Sequence, residues 1–197
     1  MLNDMLYLQA IERFTELFAE ASKLDLLEPT AMSLATTDDR GWPSVRTVLL
    51  KSVDIQGFVF YTNKLSRKGR QLHETGRAAL CFYWQALLQQ VLVEGSVKDV
   101  TDREADAYWA TRARISQIGA WASLQSEKLS SREELEQRFA EIEARFKDQP
   151  VPRPPHWSGY RVVPDMIEFW QSRPGRLHER DRYFLDGGEW RHSLIYP

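Results

Sequence analysis

Between Ala31 and Lys98 the chain reads as a succession of short strands, and this run constrains the fold more than any other stretch. Ala31 to Thr36 is a small-residue apolar segment, followed by a turn at Asp38-Asp39-Arg40-Gly41. Ser44 to Lys51 alternates, with Val45, Thr47 and Leu49 on one face and Arg46, Val48 and Leu50 on the other. Gly57 precedes a third strand, Phe58 to Tyr61, and Ala78 to Tyr83 and Gln90 to Lys98 make two more. A short helix from Ser66 to Glu74, with Ser66 as N-cap, interrupts them. The alternation of strand and helix is too irregular for a doubly wound parallel sheet. It points to an α+β architecture: an antiparallel barrel with helices packed outside.

The flanking segments agree. Leu6, Ala10, Phe14, Leu17, Phe18 and Ala21 recur at helical spacing, which predicts an amphipathic helix from about Met5 to Lys23, and Pro29 marks its boundary. Thr101-Asp102-Arg103-Glu104 and Ser131-Arg132-Glu133-Glu134 are capping boxes opening helices to about Ala110 and Phe146, with a short helix from Ser116 to Ser123 between them. Pro150, Pro152, Pro154 and Pro155 make residues 149–155 an extended connector. Two or three strands finish the chain, with Asp186-Gly187-Gly188 as a hairpin turn. A length of 197 residues suits one domain with a sizeable core, or at most two small ones. We read one domain, 1–197, with a helix over 1–27 and the core over 28–197.

Composition excludes several classes. No run approaches the ~18 apolar residues of a spanning helix. Met1-Leu2-Asn3-Asp4 lacks the basic-then-apolar order of a signal peptide. A lone cysteine, Cys81, excludes an internal disulfide framework and fits a small buried hydrophobe in a reducing cytosol, so a cytoplasmic location is expected. Net charge is −2, yet Arg46, Lys51, Lys64, Arg67, Lys68 and Arg70 share a stretch whose only acid is Asp54. Local basic clusters on a weakly acidic chain suit small anionic ligands better than nucleic acid, and the aromatic residues are not interleaved with the cations as stacking platforms require.

Several segments carry polar groups in patterns that chemistry uses. Ser66-Arg67-Lys68 places two cations at a helix N-terminus after Tyr61-Thr62-Asn63, which describes a phosphate site or a capped surface helix. Arg46 and Lys51, five apart, fall on opposite faces of a regular strand and serve different ligands or solvent. Tyr108, Arg112 and Ser116 recur at four-residue spacing, a donor stripe for a phosphate monoester or an ordinary helix surface. Gln90, Gln125 and Ser126 are polar positions in apolar surroundings that either read a planar ring or satisfy backbone. After Ile167-Glu168-Phe169-Trp170-Gln171, an extended chain projects Arg176, His178 and Arg180 to one face, where they repel each other unless an anion intervenes. The four histidines lack metal-ligand spacing, and no nucleophile motif is present. Arginine does not act as a base. The constellation binds and orients, which assigns the hard step to a cofactor.

Taken together, these motifs resemble the pyridoxine 5′-phosphate oxidase family of FMN-dependent enzymes. Arg46-Thr-Val-Leu-Leu-Lys51, Phe58-Val-Phe-Tyr-Thr-Asn63, Ser66-Arg-Lys68, Ser116-Gln-Ile-Gly-Ala-Trp121 and Ile167-Glu-Phe-Trp-Gln171 with Arg176-Leu-His-Glu-Arg180 carry the resemblance, which runs from about Glu28 to Pro197. It implies a split β-barrel paired as a homodimer with FMN at the subunit interface. It implies flavin contacts at Arg46, Tyr61, Thr62, Ser66, Arg67, Lys68, Gln90, Gln125, Ser126, Trp170 and Arg180. Lys51, Tyr108, Arg112 and Ser116 match the substrate phosphate pocket, and Arg176 and His178 match the catalytic groups over the substrate ring. The implied reaction oxidises pyridoxine or pyridoxamine 5′-phosphate to pyridoxal 5′-phosphate, with dioxygen reduced to hydrogen peroxide. Many members carry an N-terminal arm with an arginine and a tyrosine over the substrate. No equivalent is found before the helix, so the resemblance carries over the pocket and leaves the presence of a lid open. Thr111-Arg-Ala-Arg-Ile115 also departs from the usual Arg-Pro-Arg-acidic run. A phenazine-biosynthesis-type flavin oxidase and a non-catalytic flavin or pyridoxal-phosphate carrier remain the alternatives.

Overall fold

The computed structural model describes the backbone of residues 2–197 and the side chains of residues 5–197; the first four residues, read above for signal-peptide order, fall outside the described side chains. In chain order the elements are α1 (Leu2–Lys23), β1 (Ala31–Thr37), β2 (Pro43–Leu49), β3 (Ser52–Asp54), β4 (Gly57–Asn63), α2 (Arg67–Thr75), β5 (Arg77–Trp84), β6 (Gln89–Asp99), α3 (Asp102–Thr111), α4 (Arg114–Ala122), α5 (Arg132–Arg145), β7 (Trp157–Gln171), β8 (Glu179–Asp186) and β9 (Glu189–Leu194). The strands form one antiparallel sheet ordered β2-β1-β5-β6-β7-β4-β3. β4 pairs with the first half of β7 and β8 with its second half, while β6 runs beside nearly all of it.

The sheet curls until its two ends meet. Leu50 N donates to Thr30 O (2.9 Å) and Lys51 N to Val59 O (2.8 Å), so the chain leaving β2 at one end feeds directly into β3 and β4 at the other. This link also corrects an expectation. β2 stops at Leu49, and Lys51 lies beyond it, exposed, because its backbone is claimed by β4. The opposite-face relation of Arg46 and Lys51 in one regular strand is therefore not realised.

The barrel is filled from inside and plugged by α1. Phe14 is fully buried against Phe58 (4.7 Å between ring centroids), Phe82 (4.9 Å) and Trp84 (5.9 Å). The apolar stripe of α1 thus joins the main core instead of coating the outside. A smaller cluster of Trp109, Ile118, Phe146, Val151 and Trp157 seats α3–α5 and the proline connector. The connector's carbonyls are satisfied by indoles: Trp109 Nε1 donates to Val151 O (2.8 Å) and Trp121 Nε1 to Pro152 O (2.7 Å). Thr101 and Glu104 complete their capping box. At α5, Ser131 Oγ caps Glu134 N, but the Glu134 carboxylate returns to Ser130 N instead of Ser131, so only half of that box forms as expected. Among the described residues no helix is long and apolar enough to cross a membrane.

Phe14→Ala removes the plug from the centre of this cluster. It is expected to destabilise the fold by about 3–5 kcal/mol, read as a lowered urea midpoint at fixed protein concentration.

Candidate active site

Helix α2 begins where β4 ends, and Ser66 makes the junction. Its hydroxyl is fully buried, donates to Asn63 O (2.7 Å) and accepts from Gly69 N (3.3 Å). The Ser66 side chain is therefore committed to capping, and the amides of Arg67 and Lys68 are the groups that this helix start presents. Gly69 has no alternative: a Cβ there would meet Lys64 O at 2.2 Å.

Three cations, Arg46, Arg67 and Lys68, gather at this junction, and the hydrogen-bond partners of Arg46 and Lys68 are all neutral. Arg46 Nη1 donates to Thr36 Oγ1 (2.6 Å) and Leu34 O (3.2 Å), and its Nη2 to Gln71 Oε1 (3.4 Å). Lys68 Nζ donates to Gln125 Oε1 (2.8 Å), Thr62 Oγ1 (3.2 Å) and Ser66 Oγ (3.3 Å). Burial, and then the charge of Arg46, push the Lys68 ammonium down to about 8. Burial, and then Arg67, lower Arg46 in turn. Among the described residues no carboxylate forms an ion pair with Arg46, Arg67 or Lys68. Gln125 is carried by a loop that Arg70 tethers through Glu127 (3.1 Å), and Ser126 beside it is exposed with φ at 76°.

A second group faces the first across a cleft of about 330 Å³ lined by Tyr61, Thr62, Gln125, Arg112, Ser116 and Trp157 among others. Tyr61 stacks on Tyr108 (4.2 Å) and on Trp157 (5.4 Å), and the Arg112 guanidinium lies over Trp157 (4.9 Å). Arg112 Nη2 donates to Ser116 O (3.0 Å), its Nε is buried without a partner, and burial lowers its pKa. Tyr108, Arg112 and Ser116 lie on two helices and the joint between them, in line with the break expected after Ala110. α3 ends at Thr111 and Arg112 is extended (φ −74°, ψ 140°), with α4 starting at Arg114. Tyr108, Arg112 and Ser116 still converge, because the Arg114 side chain anchors the new helix to Gln149 O and Phe146 O. Lys51 makes no side-chain hydrogen bond among the described residues.

The third group sits elsewhere. Gln90, Trp170 and Arg180 are successive register partners on β6, β7 and β8, a row across the sheet. Thr62 pairs with Ser158 at the start of β7, and Trp170 is twelve residues further along, ~40 Å of extended chain. The two groups are therefore carried by opposite ends of β7. The turn after β7 also departs from the expected extended run. Gly175 and Arg176 are both left-handed (φ 68° and 63°), so Arg176, His178 and Arg180 do not alternate along one face. Instead His178 packs on Trp170 (4.6 Å) and accepts the Arg173 N–H at Nδ1 (3.1 Å), which puts its proton on Nε2. Arg176 is exposed. Arg180 is paired with Glu168 (2.8 and 3.1 Å).

Thr36, Gln71, Trp157 and Glu168 were missed from the sequence. Gln71 alone left a trace there, one helical turn beyond Arg67.

Comparison with known proteins shows the family. The family described as pyridoxamine 5′-phosphate oxidase matches residues 18–146, and the pyridoxine 5′-phosphate oxidase C-terminal dimerisation region matches residues 157–197. The chain belongs to the pyridoxine/pyridoxamine 5′-phosphate oxidase family. It is a flavin-dependent oxidoreductase. A relative of that name from Myxococcus xanthus (strain DK1622) is 59% identical, covering 95% of this chain and 91% of its own. One from Alkalilimnicola ehrlichii is 58% identical, over 96% of this chain and 97% of its own. The crystal structure of PhzG from Burkholderia lata 383, in complex with tetrahydrophenazine-1-carboxylic acid, is 36% identical with a TM-score of 0.89, covering 95% of this chain and 92% of that one. An FMN-binding protein of Nostoc punctiforme, 17% identical with a TM-score of 0.73 over 93% of this chain and 95% of that one, shares the fold.

Two measurements check this geometry. Because Lys68 is depressed in the folded state, its charge opposes folding fully below about pH 8, and the opposition fades as pH rises toward 10.5. A bound dianion reverses the effect by favouring the ammonium. Stabilisation by sulfate should be full at pH 7 and shrink between pH 8 and 10, and Lys68→Met should abolish this pH dependence. Separately, ¹⁵N–¹H correlation spectra should show neutral His178 protonated at Nε2; protonation at Nδ1 would contradict the Arg173 bond.

Proposed function

We propose that the protein oxidises pyridoxine and pyridoxamine 5′-phosphates to pyridoxal 5′-phosphate, with FMN held between the subunits of a homodimer. The observation that carries this reading is one cleft lined by Arg112 and Ser116 together with Thr62 and Gln125, the latter two both bonded by the Lys68 ammonium. A reaction between two phosphorylated molecules needs two anion sites side by side. The clustered Arg46, Arg67 and Lys68, and the unpartnered buried Nε of Arg112, fit such anions.

In this reading Arg46, Arg67, Lys68 and the first amides of α2 hold the flavin phosphate, with Tyr61, Thr62, Gln125 and Ser126 as further contacts and Ser66 acting by capping the helix. Gln90, Trp170 and Arg180 come from the second copy, because β7 separates them from the first group by most of its length. The outer sheet face leaves Val45 69% and Tyr83 56% exposed, which supports pairing across it. Lys51, Tyr108, Arg112 and Ser116 hold the substrate phosphate. Arg176 supplies a fixed charge over the substrate ring, and His178 donates through Nε2–H, so the pair orients the ring and excludes water. FMN held by these residues would supply the hydride acceptor for the substrate carbon, with dioxygen as the terminal oxidant giving hydrogen peroxide. With the amine substrate, the resulting imine hydrolyses to the aldehyde and ammonia.

A phenazine-type oxidase is the second reading, favoured by the 36% identity and 0.89 TM-score with PhzG. A tricyclic carboxylic acid carries no phosphate, however, and makes less use of the Arg112 group.

The test is an anaerobic titration of FMN-loaded protein with pyridoxine 5′-phosphate, followed by air. Bleaching of the flavin band, then recovery with peroxide and pyridoxal 5′-phosphate, supports the oxidase; a band that never bleaches rejects it. Arg176→Ala should cut turnover on the order of 10²-fold with little change in FMN affinity. Arg67→Ala should weaken FMN retention about tenfold or more while sparing turnover per bound flavin. Loss of FMN from Arg176→Ala with turnover per flavin intact would refute the catalytic assignment.

A further inference from the structure

Glu168 is a carboxylate with 2% exposure in the middle of β7, flanked by Ile167 and Phe169 in the apolar core. Its two oxygens grip one guanidinium: Arg180 Nε donates to Oε1 (2.8 Å) and Nη2 to Oε2 (3.1 Å). The choice of partner is specific. Arg182 is the residue directly opposite Glu168 in the β7–β8 register, yet its Nε stays 3.8 Å away, buried and without a hydrogen bond. The carboxylate reaches diagonally to Arg180 and leaves its direct cross-strand neighbour unsatisfied. Arg180 Nη1 is held from another side by Tyr196 O (3.2 Å). Three of the five guanidinium donors are thereby fixed, leaving one on each Nη.

Stability alone does not call for this arrangement. A buried ion pair gains little over an apolar pair of similar volume, because desolvation offsets the attraction. Leaving Arg182 Nε unpartnered adds a further cost. What the arrangement does achieve is a guanidinium with a single orientation, in the row shared with Trp170 and Gln90.

We propose that Glu168 is a positioning residue for flavin binding, acting through Arg180. The proposal rests on the reading above that Arg180 contacts the flavin. Bidentate contact fixes the plane of the guanidinium as well as its place, which a lysine or a singly bonded arginine does not achieve.

The experiment is a double-mutant cycle on FMN affinity, measured by fluorescence titration of the full-length protein stripped of flavin, with Glu168→Gln, Arg180→Ala and the double variant. Glutamine keeps the shape and removes the charge. The expected result is that E168Q weakens FMN binding about tenfold, R180A weakens it at least as much, and the double variant matches R180A within about twofold. Additive losses would show that Glu168 acts independently of Arg180, as a general structural residue, and would overturn the proposal. So would an E168Q variant that binds FMN like the parent while R180A does not. If R180A itself leaves FMN affinity unchanged, Arg180 is removed from the flavin site, and the proposal falls with that assignment. Should E168Q not fold without flavin, Glu168→Asp, which draws the carboxylate back by one methylene, enters the same cycle with the same outcomes.

Discussion

One strand organises this protein. The fifteen residues of β7 pair with β6 along one edge and with β4 and then β8 along the other. Its first half closes the barrel and faces the cleft; its second half carries Glu168 and Trp170 and launches the turn that bears Arg176 and His178. The hydrogen bonds of an antiparallel ladder fix both register and face. Thr62 on β4, Gln90 on β6, Arg180 on β8 and Trp170 on β7 itself are therefore placed by this ladder. The division of the site into two distant groups is a property of β7 alone, present before any partner is considered.

The electrostatics follow a complementary logic. Elsewhere the chain neutralises its cations carefully: Arg161 is shared by Asp54 and Glu104, and Arg153 by Asp102 and Asp106. At the cleft it does not. Arg46 and Lys68 are met by hydroxyls, amides and carbonyls, groups that solvate a cation without cancelling it. Desolvation then works against the charge, which is why both groups are easier to deprotonate than in water. A fold that pairs surface charge so freely and withholds carboxylates here is poised for an anion from outside.

Much of this was legible in the sequence. Ser66 announced its helix, Thr101 and Glu104 theirs, and Asp186-Gly187-Gly188 the last hairpin, because caps and turns are local chemistry. Local chemistry also misled. The break after Ala110 was expected, but the next helix starts at Arg114 rather than Ser116, and Arg114 binds the distant carbonyls of Phe146 and Gln149, which no local pattern reveals. Arg176, His178 and Arg180 read as one extended face, yet Gly175 and Arg176 are left-handed and break the alternation, and a left-handed arginine has no sequence signature. Glu168 was the least visible of all. A lone carboxylate in an apolar run looks like an edge position until the strand beside it supplies Arg180.

The length of β7 has an evolutionary consequence. Side chains alternate along a strand, so inserting one residue would turn everything beyond it to the opposite face, moving Glu168 and Trp170 into the core and Phe169 out of it. Inserting two would restore the faces but slide one half of the site past the other by ~7 Å. Neither change can be absorbed gradually. The exposed turns at 39–41 and 187–188 are open to drift in length, whereas β7 can vary only by substitution, residue for residue.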